Sequence, residues 1–168
     1  MNADDDSGAA IAAFIGTELE NERKRRAGLE SRGVALITTS SSFCTLLLAV
    51  AALVLDQQAG RPSLGTIVAV VVAVGLFAAA GIAGILAARA RWYSVADVQT
   101  VDELLGDRWS VDLDTARRAV ATINRNTLAS LRDGNDKMAS AAALGGWLQV
   151  AAVAALALGL ALQIVLMS

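Results

Sequence analysis

Three long stretches without a charged residue dominate the pattern of hydrophobic and polar positions along the chain. They run from about Gly33 to Leu55, from about Leu64 to Ala88 and from about Ala139 to Met167. Each exceeds the roughly 20 residues that a helix needs to cross the hydrocarbon core of a bilayer. The pattern therefore predicts an all-α, polytopic membrane protein with transmembrane helices at 33–55, 64–88 and 139–167.

The first stretch has one alternative interpretation, a cleaved signal peptide. A signal peptide places a short basic region before roughly 7–15 apolar residues, whereas here 32 residues, many of them charged, precede the stretch. A transmembrane span is therefore the favoured interpretation. The third stretch is about 43 Å long at 1.5 Å per residue, so we expect it to tilt or to project from the membrane at one end.

The segments between the spans are polar and carry nearly all the charge. Residues 1–8 are predicted to be disordered, and residues 9–32 to form an amphipathic helix at the membrane surface, with an apolar face made of Ile11, Phe14, Ile15 and Leu19. Residues 56–63 are predicted to form a hairpin loop between the first two spans. Residues 89–138 are predicted to be helical in two parts, one ending near Gly106 and one starting after Ser110, and Gly134 either ends or bends the second.

The basic residues predict an orientation. Thirteen of the fourteen lie before the first span or between the second and the third, and Arg61 alone lies in the hairpin. The positive-inside rule then places the N-terminus and residues 89–138 in the cytoplasm, and the hairpin and the C-terminus outside the cell membrane. The cluster before the first span is expected to lie on lipid headgroups at the membrane surface; it consists of Arg23, Lys24, Arg25, Arg26 and Arg32.

Composition excludes several classes of function. The chain is 55% hydrophobic and 18% charged, and its net charge of −2 does not suggest a nucleic-acid partner. Histidine is absent and Cys44 is the only cysteine, so the usual catalytic triads and zinc sites have no ligands or bases. Asp133-Gly134-Asn135-Asp136 resembles the start of a calcium loop but lacks the glutamate that such a loop requires. We therefore predict no enzymatic activity, no metal and no cofactor.

Small residues recur at four-residue spacing in two of the spans. Such ridges let helix backbones approach closely, which drives helix association in lipid. The partner could be another helix of this chain or another copy, and the sequence leaves both open. The ridges are Gly75-Ala79-Ala83-Ala87, Ala80-Gly84-Ala88 and Ala151-Ala155-Gly159.

Polar side chains inside the spans are the second candidate feature. Five hydroxyl residues stand in a row in the first span, Thr38, Thr39, Ser40, Ser41 and Ser42, and Thr45 follows. Those that face lipid are expected to bond to the carbonyl one turn earlier, and the others either pack against helices or line a polar path. Gln149 and Gln163 lie on roughly one face of the third span, which we expect to be buried in a bundle.

The segment from Glu22 to Ser40, ERKRRAGLESRGVALITTS, resembles small integral membrane proteins of actinobacteria. The overall plan is similar to SLATT- and Pycsar-type membrane effectors of bacterial defence: an N-terminal helix, a two-span hairpin, a cytoplasmic helical part, and LRDGNDK leading into a last span. That resemblance implies a cytoplasmic part that responds to a signal and spans that assemble and disturb the membrane.

Two hypotheses for function follow. The first is a homo-oligomeric membrane effector or small pore, in which the face from Thr38 to Thr45 and the face of Gln149 and Gln163 meet around an axis. The second is an accessory or scaffold subunit of a larger membrane protein complex. The expected partners are the lipid bilayer and either further copies of the chain or another membrane protein, with no nucleic acid.

Overall fold

A computed structural model describes residues 3–56, 63–89 and 112–167, together with Asp102 and Gly106. The described chain is helical and contains no strand within those ranges. Helix α1 runs over Ala3–Asp56, α2 over Leu64–Ala88 and α3 over Leu113–Met167. Each contains a segment long and apolar enough to cross a membrane. The prediction of an all-α protein with three potential spans is confirmed.

The helix boundaries confirm some predictions and correct others. The second predicted span, 64–88, coincides with α2. Disorder over residues 1–8 is wrong from Ala3 onward, because α1 begins there; acidic residues at positions 4–6 suit the positive end of the helix macrodipole. Gly134 neither ends nor interrupts α3. The helix predicted to end near Gly106 lies outside the described residues, apart from a bond from the Gly106 N–H to the Asp102 carbonyl (2.8 Å).

The chain divides into two compact units. The charged unit comprises Met1–Gly28 and Ala90–Lys137, and the spanning unit comprises Leu29–Arg89 and Met138–Ser168. In the charged unit α1 and α3 run parallel, since Glu18 contacts Arg132 and Arg25 contacts Asp136 further along both helices. Leu19, Leu128 and Leu131 form the apolar centre of this contact.

The spanning unit is a bundle of three helices. Parts of α1 and α3 run parallel in it, and α2 runs antiparallel to both. Its central cluster contains Ala73, Phe77 and Ala152, and the ring of Phe77 stacks on that of Phe43 with centroids 5.0 Å apart. Most large apolar side chains point outward, among them Leu64, Ile85, Val150 and Leu160. A soluble protein would bury such residues, so this surface fits the hydrocarbon of a bilayer.

Candidate functional site

Glycine brings α1 and α2 into close contact in the spanning unit. A Cβ atom placed on Gly84 would lie 2.9 Å from the carbonyl oxygen of Gly33 and 3.0 Å from the Cβ of Leu36. A Cβ on Gly33 would lie 2.6 Å from the backbone nitrogen of Ala88. The two backbones therefore pack directly on each other, as small residues allow in lipid.

Two glycines of α3 allow similar contacts with its neighbours. A Cβ atom on Gly145 would lie 3.0 Å from Leu36 and 3.3 Å from the Cβ of Ala83. A Cβ on Gly159 would overlap the side chain of Ala69. Helix α3 thus packs closely against α2 at both positions, and no side chain larger than hydrogen fits there without movement.

Only some residues of the predicted ridges are buried in the bundle. Ala80, Ala83 and Gly84 are buried, whereas Gly75 is exposed and a Cβ there would meet nothing within 4 Å. On α3 Gly159 is buried, but Ala151 is exposed. Ala79 and Ala155 are half-buried.

The difference comes from the period of the buried positions. Residues at four-residue spacing drift by about 40° per step around a helix, whereas residues seven apart drift by only about 20°. Five of the eight buried residues in the described part of α3 follow the seven-residue repeat: Leu131, Met138, Gly145, Ala152 and Gly159. On α2 the buried residues Ala73, Ala80 and Ala87 do the same. A seven-residue period in the sequence therefore indicates these buried positions better than the four-residue ridges do.

Polar contacts join α1 and α3 in the middle of the spanning unit. The Gln149 side chain donates from Nε2 to the Ser40 hydroxyl (3.0 Å) and to the Leu36 carbonyl (3.4 Å). Ser40 is 2% exposed. Of the five consecutive hydroxyl residues it is the one that packs inside the bundle. Sequence reasoning did not single it out, because its neighbours have the same chemistry.

Gln163 makes a second polar contact, with α2. Its side-chain oxygen accepts hydrogen bonds from the Thr66 hydroxyl (2.8 Å) and from the backbone N–H of Ser63 (3.1 Å). Ser63 also caps α2, since its hydroxyl accepts from the Thr66 N–H. Both glutamines are half-buried, so the expectation that their face lies within a bundle is confirmed. Their contacts are with helices of this chain.

The remaining hydroxyl residues of the first span face outward. Thr38, Thr39, Ser41, Ser42 and Thr45 are all exposed in the single chain. The three threonines donate to the carbonyl four residues earlier, at 3.0, 2.7 and 3.0 Å, which confirms the predicted bonding within the helix. Four of these residues cover an arc of about 100° on the side of α1 opposite Ser40, at 100° per residue. We call Thr38, Ser41, Ser42 and Thr45 the hydroxyl face.

A polar cluster joins α1 and α3 in the charged unit. The Glu22 carboxylate is only 12% exposed and contacts the guanidinium groups of Arg132 (3.3 Å) and Arg25 (3.4 Å). Asn135 is fully buried and donates from Nδ2 to the Glu22 carboxylate (2.8 Å) and carbonyl (2.9 Å). Its Oδ1 has no hydrogen-bond partner. A buried asparagine in such a seam is a device that fixes helix register.

The basic cluster before the first span has mixed surroundings. Arg25 contacts Asp136 at 2.9 Å, and this hydrogen bond, followed by the charge of Glu22, raises the pKa of Arg25 above its ordinary value. Lys24 lies 3.7 Å from Glu20 at the surface. Arg23 and Arg32 are exposed and Arg26 is half-buried. Arg25 therefore serves a contact within the protein, while Arg23 and Arg32 are available to solvent or lipid.

The polar contacts described above are hydrogen bonds and ion pairs. Within the described residues no three of His, Cys, Asp or Glu come together as metal ligands. The Cys44 thiol is half-buried, with its sulfur 3.9 Å from the Val74 carbonyl oxygen. The candidate site is therefore a set of helix surfaces, of which the hydroxyl face is exposed in the single chain. Comparisons with protein family models, with curated proteins and with solved structures find no match for this chain.

Proposed function

We propose that this chain is a non-enzymatic integral membrane protein that assembles with copies of itself and acts on the membrane as an effector or a small pore. The hydroxyl face carries the proposal. It exposes four polar side chains on a helix whose other outward residues include Leu46, Leu48 and Val50. Polar groups that face hydrocarbon are unfavourable, and hydroxyls gain by bonding across to a neighbouring helix.

Another copy of the chain is a suitable neighbour. The hydroxyl residues are small, so two such faces can approach closely. The Ser41 and Ser42 hydroxyls offer donor and acceptor positions, whereas Thr38 and Thr45, whose hydroxyls donate within α1, offer acceptor positions. Around a symmetry axis these groups would form a polar lining at one depth of the membrane. Gln149 and Gln163 do not contribute to that lining, because they bond to Ser40 and Thr66 inside the bundle. The proposed assembly surface is therefore narrower than the one suggested by the sequence.

The proposal includes an orientation in the cell membrane. Thirteen of the fourteen basic residues lie on segments that belong on one side of a protein with three spans. We assign that side to the cytoplasm on the positive-inside rule, which leaves the C-terminus outside. The similarity in plan to SLATT- and Pycsar-type effectors agrees with this arrangement.

The experiment is a measurement of mass and conductance on the protein extracted gently from its own membrane. We expect a multiple of the 17.3 kDa chain and discrete conductance in planar bilayers. The double variant Ser41→Leu and Ser42→Leu should lower the mass to a single chain and abolish conductance. Ala154→Leu is the matched control, since Ala154 is an exposed small residue on α3.

Two outcomes would contradict the proposal. One is a wild-type protein that is a single chain without conductance. The other is a fixed ratio to a different membrane protein, which would instead establish an accessory or scaffold subunit. If the double variant keeps both its mass and its conductance, the hydroxyl face is not the assembly surface.

A further inference from the structure

A groove of about 400 Å³ lies between α1 and α3 in the spanning unit, and its described lining does not include the hydroxyl face. Leu29 and Leu36 line it from α1, and Ala139, Ala142 and Ala143 line it from α3. The groove exists because the alanine side chains are too short to fill the space between the two helices. Its volume lies within the range of roughly 300–1,000 Å³ that is typical of ligand-binding clefts.

The two ends of the groove differ in chemistry. Arg32 lies at the end nearest the start of the first span, and Thr39 and Gln149 lie further in. Seven residues separate Arg32 from Thr39, which is about 10 Å along a helix. The walls between these ends are mainly apolar. An occupant that fits must therefore carry a polar or anionic group at one end and a hydrocarbon chain along the remainder.

Arg32 lacks an acidic partner among the described residues. None of the described side chains that line the groove is a carboxylate, and no ion pair of Arg32 occurs within the described ranges. A guanidinium group matches the geometry of a phosphate, which it can bind through two hydrogen bonds. The positive charge of Arg32 at this end of the groove therefore favours an anionic ligand.

A second copy of the chain fits this groove less well than a lipid. The three apolar stretches, 33–55, 64–88 and 139–167, contain no Asp or Glu, so the span of another copy would bring no negative charge to Arg32. A phospholipid supplies both features at the correct depth, with the phosphate at the membrane surface and an acyl chain that enters the hydrocarbon. Small residues along the wall let that chain approach the helix backbone.

We infer that the groove between α1 and α3 binds one anionic phospholipid, whose phosphate contacts Arg32 and one of whose acyl chains lies along Ala142 and Ala143. This inference does not depend on self-assembly, because all of these residues belong to the spanning unit of a single chain. It distinguishes Arg32 from the remainder of the basic cluster. Arg32 holds one lipid, while Arg23 contributes only to general attraction to the membrane surface.

The test is native mass spectrometry of the protein after purification with equal amounts of phosphatidylglycerol and phosphatidylcholine that carry the same acyl chains. The wild type should retain one phosphatidylglycerol per chain after excess lipid is washed away with detergent. Arg32→Gln should lower its preference for phosphatidylglycerol by about fivefold, a typical effect of one basic residue at an anionic surface. Ala142→Leu should fill the groove and remove the retained lipid.

Matched controls separate the groove from general effects. Arg23→Gln removes the same charge from an exposed position outside the groove, and Ala157→Leu adds the same bulk at an exposed position on α3; both should keep the bound lipid. In the Ala142→Leu background, Arg32→Gln should not change the amount of phosphatidylglycerol retained any further. Thermal unfolding in detergent establishes that each variant is folded.

Three results would overturn the inference. The first is equal retention of phosphatidylglycerol and phosphatidylcholine by the wild type. The second is retention of the lipid by a folded Ala142→Leu variant. The third is a change of oligomer mass in Ala142→Leu without a change in bound lipid, which would show that a second copy occupies the groove.

Discussion

Gly84 and Gly75 lie nine residues apart on α2, but only Gly84 has close neighbours. A Cβ on Gly84 would meet the Gly33 carbonyl and the side chains of Leu36 and Ile37 at 2.9–3.1 Å, whereas one on Gly75 would meet nothing within 4 Å. The first set of contacts includes backbone, which cannot move aside cheaply. The same residue type therefore has different consequences at these two positions.

Gly84→Ala is expected to destabilise the spanning unit by about 1–3 kcal/mol, the typical effect of overpacking a close contact. Gly75→Ala is the control and should be neutral or slightly stabilising, because alanine has the higher helix propensity. Thermal unfolding in detergent, followed by circular dichroism, compares the two variants. An equal loss of stability in both would mean that the contact between Gly33 and Gly84 is not close in solution.

Hydrogen bonds within the first span could be predicted from the sequence where both partners lie within one turn of the same helix. A threonine that faces lipid has its own helix carbonyl within reach, so the bonds of Thr38, Thr39 and Thr45 follow from the sequence. The selection of Ser40 as the buried hydroxyl does not. It depends on where Gln149, 109 residues further along the chain, meets α1, and nothing near Ser40 in the sequence encodes that.

At the scale of the elements, the contact between α1 and α3 in the charged unit depends on Glu22. Its carboxylate is largely shielded from water and faces Arg25, Arg132 and Asn135. Glu20, two residues earlier, is 55% exposed, and within the described ranges it pairs only with Lys24. Ion pairs that are shielded from water and hydrogen-bonded contribute more to stability than exposed ion pairs within one helix do.

We therefore expect Glu22→Gln to destabilise the charged unit by about 1–3 kcal/mol, since it removes the charge that two arginines share. Glu20→Gln, the matched control, should cost less than about 0.5 kcal/mol. The rates of amide hydrogen exchange of residues 18–25 and 128–136 compare the stability of the two variants; exchange should be faster in Glu22→Gln. Faster exchange in the control than in Glu22→Gln would contradict this account.

The start of α3 should respond to acid. The Asp112 carboxylate accepts a hydrogen bond from the Thr115 N–H (3.0 Å), and this bond lowers the pKa of Asp112 below its ordinary value. A folded-state pKa below the unfolded one means that the carboxylate stabilises the helix start above the unfolded pKa. That contribution is lost as the pH falls through the folded pKa.

Hydrogen exchange of residues 113–117, corrected for the intrinsic pH dependence of exchange, should therefore show fraying in acid. Asp112→Asn retains a capping oxygen without a titrating group, so its fraying should not vary with pH. A variant that frays in acid as the wild type does would assign the effect to another carboxylate.

The elements differ in how far the sequence predicts them. The boundaries of α2 were predictable because the apolar run ends abruptly at both sides, at Ser63 with its capping hydroxyl and at Arg89. The continuity of α3 through Gly134 was not, because a glycine costs a helix only about 1 kcal/mol. Adjacent contacts of Leu131 and Asn135 with α1 can offset that amount, and the sequence around Gly134 does not reveal them.

At the scale of the whole molecule, the proposed orientation with three spans places the two ends of the chain on opposite sides of the membrane. Glu20 lies before the first span and Gln58 in the connection between α1 and α2, so labels at these positions should react from opposite sides. With Cys44→Ala as background, a membrane-impermeant maleimide applied to intact cells should label the Gln58→Cys variant. The Glu20→Cys variant should react only after the membrane is opened. The reverse pattern would invert the proposed orientation.

The hydrogen bond between Thr66 and Gln163 can form only after the end of α3 has been synthesised. The two residues are 97 positions apart, and at roughly 5–20 residues per second the ribosome takes about 5–20 s to make the second after the first. During that interval α1 and α2 can already pair through Gly33 and Gly84, while Ser40 and Thr66 await their glutamine partners. A newly made hairpin thus passes through a stage in which its polar groups can be satisfied by the third helix of a neighbouring chain, and the timing of synthesis can influence which partner it meets first.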